Sequence, residues 1–218
     1  MRRLIGRAVV SAFASGCSRG VAAPPPSPAP FPSERADVTS RGGELASAGR
    51  RPEYRSPHDD ALRDEDLDRL WERQLMVPVE GMLRRGVHDD FEAKRGGDKM
   101  HGALDLPASR FTAVLAADDC VIGRLFSGPI GGLVIYASDP DERFVYYYAH
   151  LQRYRSGLTV GDKVAKGSVI GYVGSTGNAP PETPHLHFQV MKRGAGRAWW
   201  DGPAINPLPF FAFDGVRP

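Results

Sequence analysis

Residues 184–190 read Pro184-His185-Leu186-His187-Phe188-Gln189-Val190, "PHLHFQV". After the proline the run is apolar and aromatic at every second position, the texture of a β-strand. Side chains alternate along a strand, so His185 and His187 share one face and Leu186 lies on the other. A lone strand histidine is usually a satisfied polar residue. Two imidazoles side by side are poor core material, because each brings two ring nitrogens that need partners. The chain has only six histidines. A pair on one face, beside the Gly/Pro-rich stretch "GSTGNAPPETP", points to a metal or catalytic site on a β-sheet.

The flanking sequence has the same texture. "TAVLAADDCVIGRLF", "GGLVIYAS", "RFVYYYAHL", "KVAKGSVIGYVG" and "HLHFQVM" each read as strands. Turns are expected at Asp118-Asp119, Gly128-Pro129, Asp139-Pro140-Asp141 and Gly161-Asp162. The expected fold class is all-β: a mainly antiparallel, two-sheet β domain over residues 76–218 with a substrate groove, preceded by a short α-helix. That helix is placed at residues 58–75, where Leu62, Leu67, Leu70, Trp71 and Leu75 fall near helical spacing and acids crowd the start. Its place just upstream of the domain raises the idea that it covers the groove.

Ahead of it the composition changes twice. "MRRLIGRAVVSAFASGC" runs charged, then apolar, then small, the order of a secretory signal. Two processing routes follow. Ala14-Ser15-Gly16-Cys17 resembles a lipobox, which would make Cys17 a lipidated first residue and the chain lipid-anchored. Ordinary cleavage after Ala14 or Ala23 is the alternative, so residues 1–23 are assigned to the signal. Residues 24–57 open with "PPPSPAPFPS" and continue rich in Arg, Ser and Gly, a disordered tether.

Composition closes off other classes. The net charge is +2 with charged residues scattered, which gives no nucleic-acid footprint. Two cysteines, Cys17 and Cys120, cannot make a C-x-x-C zinc or redox motif, and Cys120 reads as a small buried strand residue. Tyr146, Tyr147 and Tyr148 could line a substrate groove, but alternation turns at least one inward, and core packing is the expectation. Trp199 and Trp200 are expected to close a hydrophobic edge rather than to bind sugar.

Two further segments carry chemistry. In "KMHGALDLPA", His101 and Asp105 stand four apart, but Gly102 and Pro107 argue for a loop entering a strand rather than a helix. In "YYYAHL", His150 closes an aromatic strand. Four of the six histidines and one acid thus fall at strand or loop ends of one small β domain. Two imidazoles and a carboxylate, with a fourth position open, suit a catalytic zinc ion, and two histidines remain to act on water and a developing oxyanion. No H-E-x-x-H helix is present.

In order, His101-x-x-x-Asp105, Tyr148-Ala149-His150-Leu151, "VGDKVAKGSVIGYVGSTGN" and His185-Leu186-His187-Phe188 resemble the M23 (LytM, lysostaphin-type) zinc metallopeptidases. The closing "WWDGPAINPLPFF" is similar to Gram-negative envelope members. The resemblance spans residues 76–211 and implies one Zn2+ held by His101, Asp105 and His187, with His150 and His185 as the catalytic pair. It implies Asn178 and Thr183 as substrate-binding candidates. Ala103 departs from the family's usual glycine in H-x-G-x-D. The implied function is hydrolysis of peptidoglycan stem or cross-bridge peptides in the periplasm or cell envelope, as a D,D-endopeptidase. A regulatory envelope protein is a further implied partner. The alternatives are a non-catalytic activator of cell-wall amidases, which a complete ligand set argues against, a dual-role activator, which it does not, and a secreted glycyl-peptide bacteriolytic protease. A biotinyl-type carrier would account for "GDKVAKG" but for none of the histidines.

Overall fold

The computed structural model describes residues 62–195 and 199–214. The signal or lipobox with Cys17, the tether at 24–57 and the start of the expected helix lie outside the described residues. Among those described, no helix is long and apolar enough to cross a membrane.

Helix α1 spans Asp64–Arg73. Asp64, Glu65 and Asp66 supply negative charge to its first turn, and Asp66 Oδ2 accepts from the Arg63 amide at 3.3 Å. The helix is shorter than the hydrophobic pattern suggested. Gln74 turns left-handed at φ 47° and ends it, and Leu75 instead bridges Phe211. Leu67 and Leu70 are buried in the main core and contribute roughly 2 kcal/mol each.

Nine strands follow among the described residues: β1 Leu104–Pro107, β2 Ala113–Leu115, β3 Cys120–Gly128, β4 Gly132–Ser138, β5 Phe144–Tyr154, β6 Lys163–Val164, β7 Val169–Val173, β8 His185–Lys192 and β9 Ala204–Ile205. Every pairing is antiparallel, and the main path runs β1-β8-β5-β4-β3-β6. The all-β reading is borne out, with one correction: hydrogen bonds join all strands into a single sheet rather than two. The reason is β5. Its first half pairs with β8 over Phe144–Ala149, and its second half pairs with β7 over Leu151–Tyr154. One long strand thus serves two neighbours on the same edge.

Alternation sorts the sheet's faces. Leu104 and Leu106, Tyr146 and Tyr148, and Leu186, Phe188 and Val190 are fully buried on one side. Asp105, Tyr147, His185 and His187 lie on the other. Of the three consecutive tyrosines, two are therefore core, as expected, and Tyr147 is not. Because Leu67 and Leu70 join the core cluster, α1 packs on the side away from the histidines, which counts against its covering the groove. Cys120 is buried and free, as expected, and burial pushes its thiol up to about 12.

Arg73 fastens the end of α1 to two strand connections. Its guanidinium reaches Asp118 at 3.0 Å, Asp139 at 2.8 Å and Asp141 at 2.9 Å. Asp118 also accepts from the buried Tyr146 hydroxyl at 2.8 Å. Burial pushes the Asp139 carboxyl up, even though Arg73 and the amides of Arg143 and Phe144 oppose it. Removing the cation would leave buried acids short of a partner. Arg73→Met is expected to cost about 3 kcal/mol of stability, read as a shift in the urea midpoint.

Candidate active site

The local order of β1 and β8 builds the centre. Gly102 takes φ 66°, so the chain after His101 turns sharply into β1. That left-handed residue is Gly102 and not Ala103, whose side chain is fully buried, so the departure from H-x-G-x-D is accommodated. β1 then pairs with β8 in the register that sets Asp105 opposite His187. His101, Asp105 and His187 each offer a ligand atom within 4.8 Å of the others'. His101 Nε2 lies 3.1 Å from His187 Nδ1 and 3.2 Å from Asp105 Oδ1, and His187 Nδ1 lies 3.1 Å from the same oxygen.

The donor set fits a divalent metal of the zinc type: two imidazoles and a carboxylate, converging and half-shielded. His101 Nδ1 is held by the Asp90 carbonyl at 3.1 Å, which leaves Nε2 for the cluster, the usual outer arrangement of a ligating histidine. The Arg95 guanidinium already brings positive charge there. Its Nη2 stands 2.5 Å from Asp105 Oδ2, 3.2 Å from both His101 ring nitrogens and 3.2 Å from Asp90 Oδ2. Burial works to raise the Asp105 carboxyl, but hydrogen bonds and charge from His101 and His187 hold it well below the usual carboxylate range. Burial also lowers the His187 imidazole, which keeps its lone pair available.

His150 and His185 stand beside this group, with ring centroids 5.0 Å apart and His150 5.7 Å from His187. Each is anchored through Nδ1 to a backbone carbonyl at 2.8 Å, His150 to Thr176 and His185 to Thr183. A carbonyl only accepts, so each ring carries a proton on Nδ1, and in the neutral form its Nε2 is the free acceptor. His185 Nε2 points inward, 3.7 Å from Asp105 Oδ1. Burial lowers His150 to about 4, so it is neutral at pH 7.

His150 is positioned by an irregularity. It takes φ 59° at the point where β5 changes partner, and its amide donates to the Gly131 carbonyl at 2.8 Å. The loops at 128–132 and 174–178 close around it. A Cβ on Gly177, at φ 75°, would lie 2.2 Å from the Ile130 oxygen and 2.3 Å from the Gly132 nitrogen. Gly177→Ala is expected to cost well over 1 kcal/mol and to lower the catalytic rate more than substrate binding, checked by a kcat-against-KM comparison.

The two substrate-binding candidates lie in the connection between β7 and β8. Asn178 is exposed and its amide donates to the Ile130 carbonyl at 3.0 Å. Thr183 supplies the carbonyl that orients His185. Sequence reasoning missed Asp90 and Arg95. The available signal was Gly96-Gly97, both at positive φ in the tight turn between Lys94 and Met100, which folds Arg95 back onto the histidines.

A family model described as peptidase family M23 matches residues 99–207, the span that contains His101, Asp105, His150, His185 and His187. The chain belongs to that family. Over 119 residues this M23 chain is 33% identical to the L-Ala–D-Glu endopeptidase of Bacillus subtilis, covering 52% of the chain and 35% of the relative. Over 144 residues it is 30% identical to the peptidoglycan DD-endopeptidase ShyC of Vibrio cholerae, covering 62% and 32%. It spans about a third of the length of these relatives. Among solved structures, the catalytic domain of lysostaphin from Staphylococcus simulans is similar at 28% identity and TM-score 0.46, covering 66% of this chain and 95% of that one.

Proposed function

We propose that this M23 protein is a zinc-dependent endopeptidase that hydrolyses peptide cross-links of peptidoglycan. The observation that carries it is the convergence of His101, Asp105 and His187 with two histidines anchored through Nδ1 beside them. His101, Asp105 and His187 would hold the ion. Zinc, when bound, supplies Lewis acidity that brings the pKa of water from 15.7 to about 7 and polarises a carbonyl oxygen. The His150 and His185 pair accepts the proton of the attacking water at Nε2 as the C–O bond forms. The same pair returns a proton to the departing amine as the C–N bond breaks. Hydrogen bonds to Thr176 and Thr183 keep both rings in the tautomer this requires. Asn178 and Thr183 would meet the substrate's backbone.

The bond we assign is the D,D cross-link of a Gram-negative envelope, with the chain exported and held at the membrane or free in the periplasm. The tail "WWDGPAINPLPFF" and the likeness to the Vibrio cholerae enzyme support this. A lipid anchor at Cys17 and a regulatory envelope protein belong to the same reading. The test is to incubate the full chain with cross-linked muropeptides containing meso-diaminopimelate, with a pentaglycine peptide and with free stem peptide, and to map products by mass spectrometry. Conversion of dimers to monomers at the D,D bond is expected. Cleavage confined to pentaglycine or to the L-Ala–D-Glu bond would contradict the assignment.

A further inference from the structure

The sheet face that carries the histidines continues sideways as an aromatic row that hydrolysis does not use. The Tyr147 ring on β5 stands edge-on to His187, centroids 5.9 Å apart. Tyr136 on β4 follows at 4.7 Å from Tyr147, and Trp200 lies 6.1 Å beyond Tyr136. The Arg124 guanidinium on β3 caps the row, 4.5 Å over Trp200, 4.5 Å over Phe126 and 5.8 Å over Tyr136. Phe126 is 44% exposed, and Tyr136 and Trp200 keep part of their surface in solvent. Closing an edge accounts for Trp199, which roofs Gly123 so tightly that a Cβ there would lie 2.4 Å from its ring. It does not account for Trp200, whose described ring contacts are Trp199, Tyr136 and Arg124.

We infer that Tyr136, Trp200, Arg124 and Phe126 form a saccharide subsite for the glycan strand of the substrate, an inference that rests on the endopeptidase reading. A pyranose has a C–H face that stacks on an aromatic ring and a rim of hydroxyl and carbonyl oxygens. The ring of Trp200 meets the first, and the N–H groups of Arg124 donate to the second. Spacing ties the row to the centre. From β8 to β3 is three strand spacings, about 14 Å. Three to four extended residues between a cleaved cross-link and its sugar span about 10–14 Å. A substrate with its scissile bond at the His187 end therefore sets its sugar on the row.

The experiment compares kcat/KM on two substrates: cross-linked muropeptide dimers bearing their sugars, and the same dimers after an amidase has removed them. The wild-type chain is expected to prefer the sugar-bearing dimers by about tenfold. Trp200→Ala and Arg124→Gln are expected to abolish that preference without changing the rate on sugar-free peptide, which also reports that each variant is folded. No preference in the wild type, or a preference kept by both variants, overturns the subsite. If the wild type cleaves neither substrate, the endopeptidase reading fails separately. Quenching of tryptophan fluorescence by peptide-free glycan strands then decides the subsite: loss of quenching in Trp200→Ala supports it, and no quenching in the wild type overturns it.

Discussion

His150→Asn is expected to lower kcat for cross-link hydrolysis by about 10²–10⁴-fold while leaving metal content unchanged. His150 holds φ 59°, a region that asparagine enters more readily than most side chains. Its Nδ2 can also donate to the Thr176 carbonyl as the imidazole does. The substitution therefore keeps the bulge where β5 leaves β8 for β7 and removes only the bare Nε2. Alanine at the same site would confuse lost chemistry with backbone strain and a cavity. The check is kcat beside zinc per protein and the thermal midpoint. Wild-type turnover by a folded, metal-loaded variant would remove His150 from the mechanism and leave His185 to move both protons.

Asp105→Ala is expected to weaken zinc binding by more than about 100-fold, since changes one shell further out already cost about 10–100-fold. Asp105 Oδ1 is the oxygen that both His101 and His187 face, and the carboxylate's charge is what offsets a dication there. The fold should suffer little, because Asp105 sits on β1 with its side chain on the outer face, away from Leu104 and Leu106. Affinity is read by competition with a chromogenic chelator, independently of turnover. Zinc held at wild-type affinity would mean that another residue completes the set, and Asp90 would be the first to examine, at 3.4 Å from His101 Nδ1.

Much of this was legible because the signals are local. Period-two alternation and the Asp, Gly and Pro turns marked five runs that hold seven of the nine described strands, and the same rule put His185 and His187 on one face. What pairs with what is not local. The register that sets Asp105 against His187 joins residues 82 apart, and only the family resemblance named the three candidate ligands together. The partner change of β5, which makes one sheet of an expected two, depends on a bulge at a histidine whose positive φ no propensity announces. The short β9 was missed because two residues carry no period. Arg95 and Asp90 sat in a charged run that reads as solvated surface, and the helix end at Gln74 overrode a hydrophobic spacing that continued to Leu75.

The most direct measurement strips the full chain of metal with a chelator, adds Zn2+ stepwise, and follows cross-linked muropeptide cleavage against zinc bound. Activity rising in proportion to bound zinc and levelling at one ion per chain is the predicted result. Cleavage by the metal-free chain, or one tightly bound zinc with no cleavage of any cross-linked muropeptide, would contradict the account.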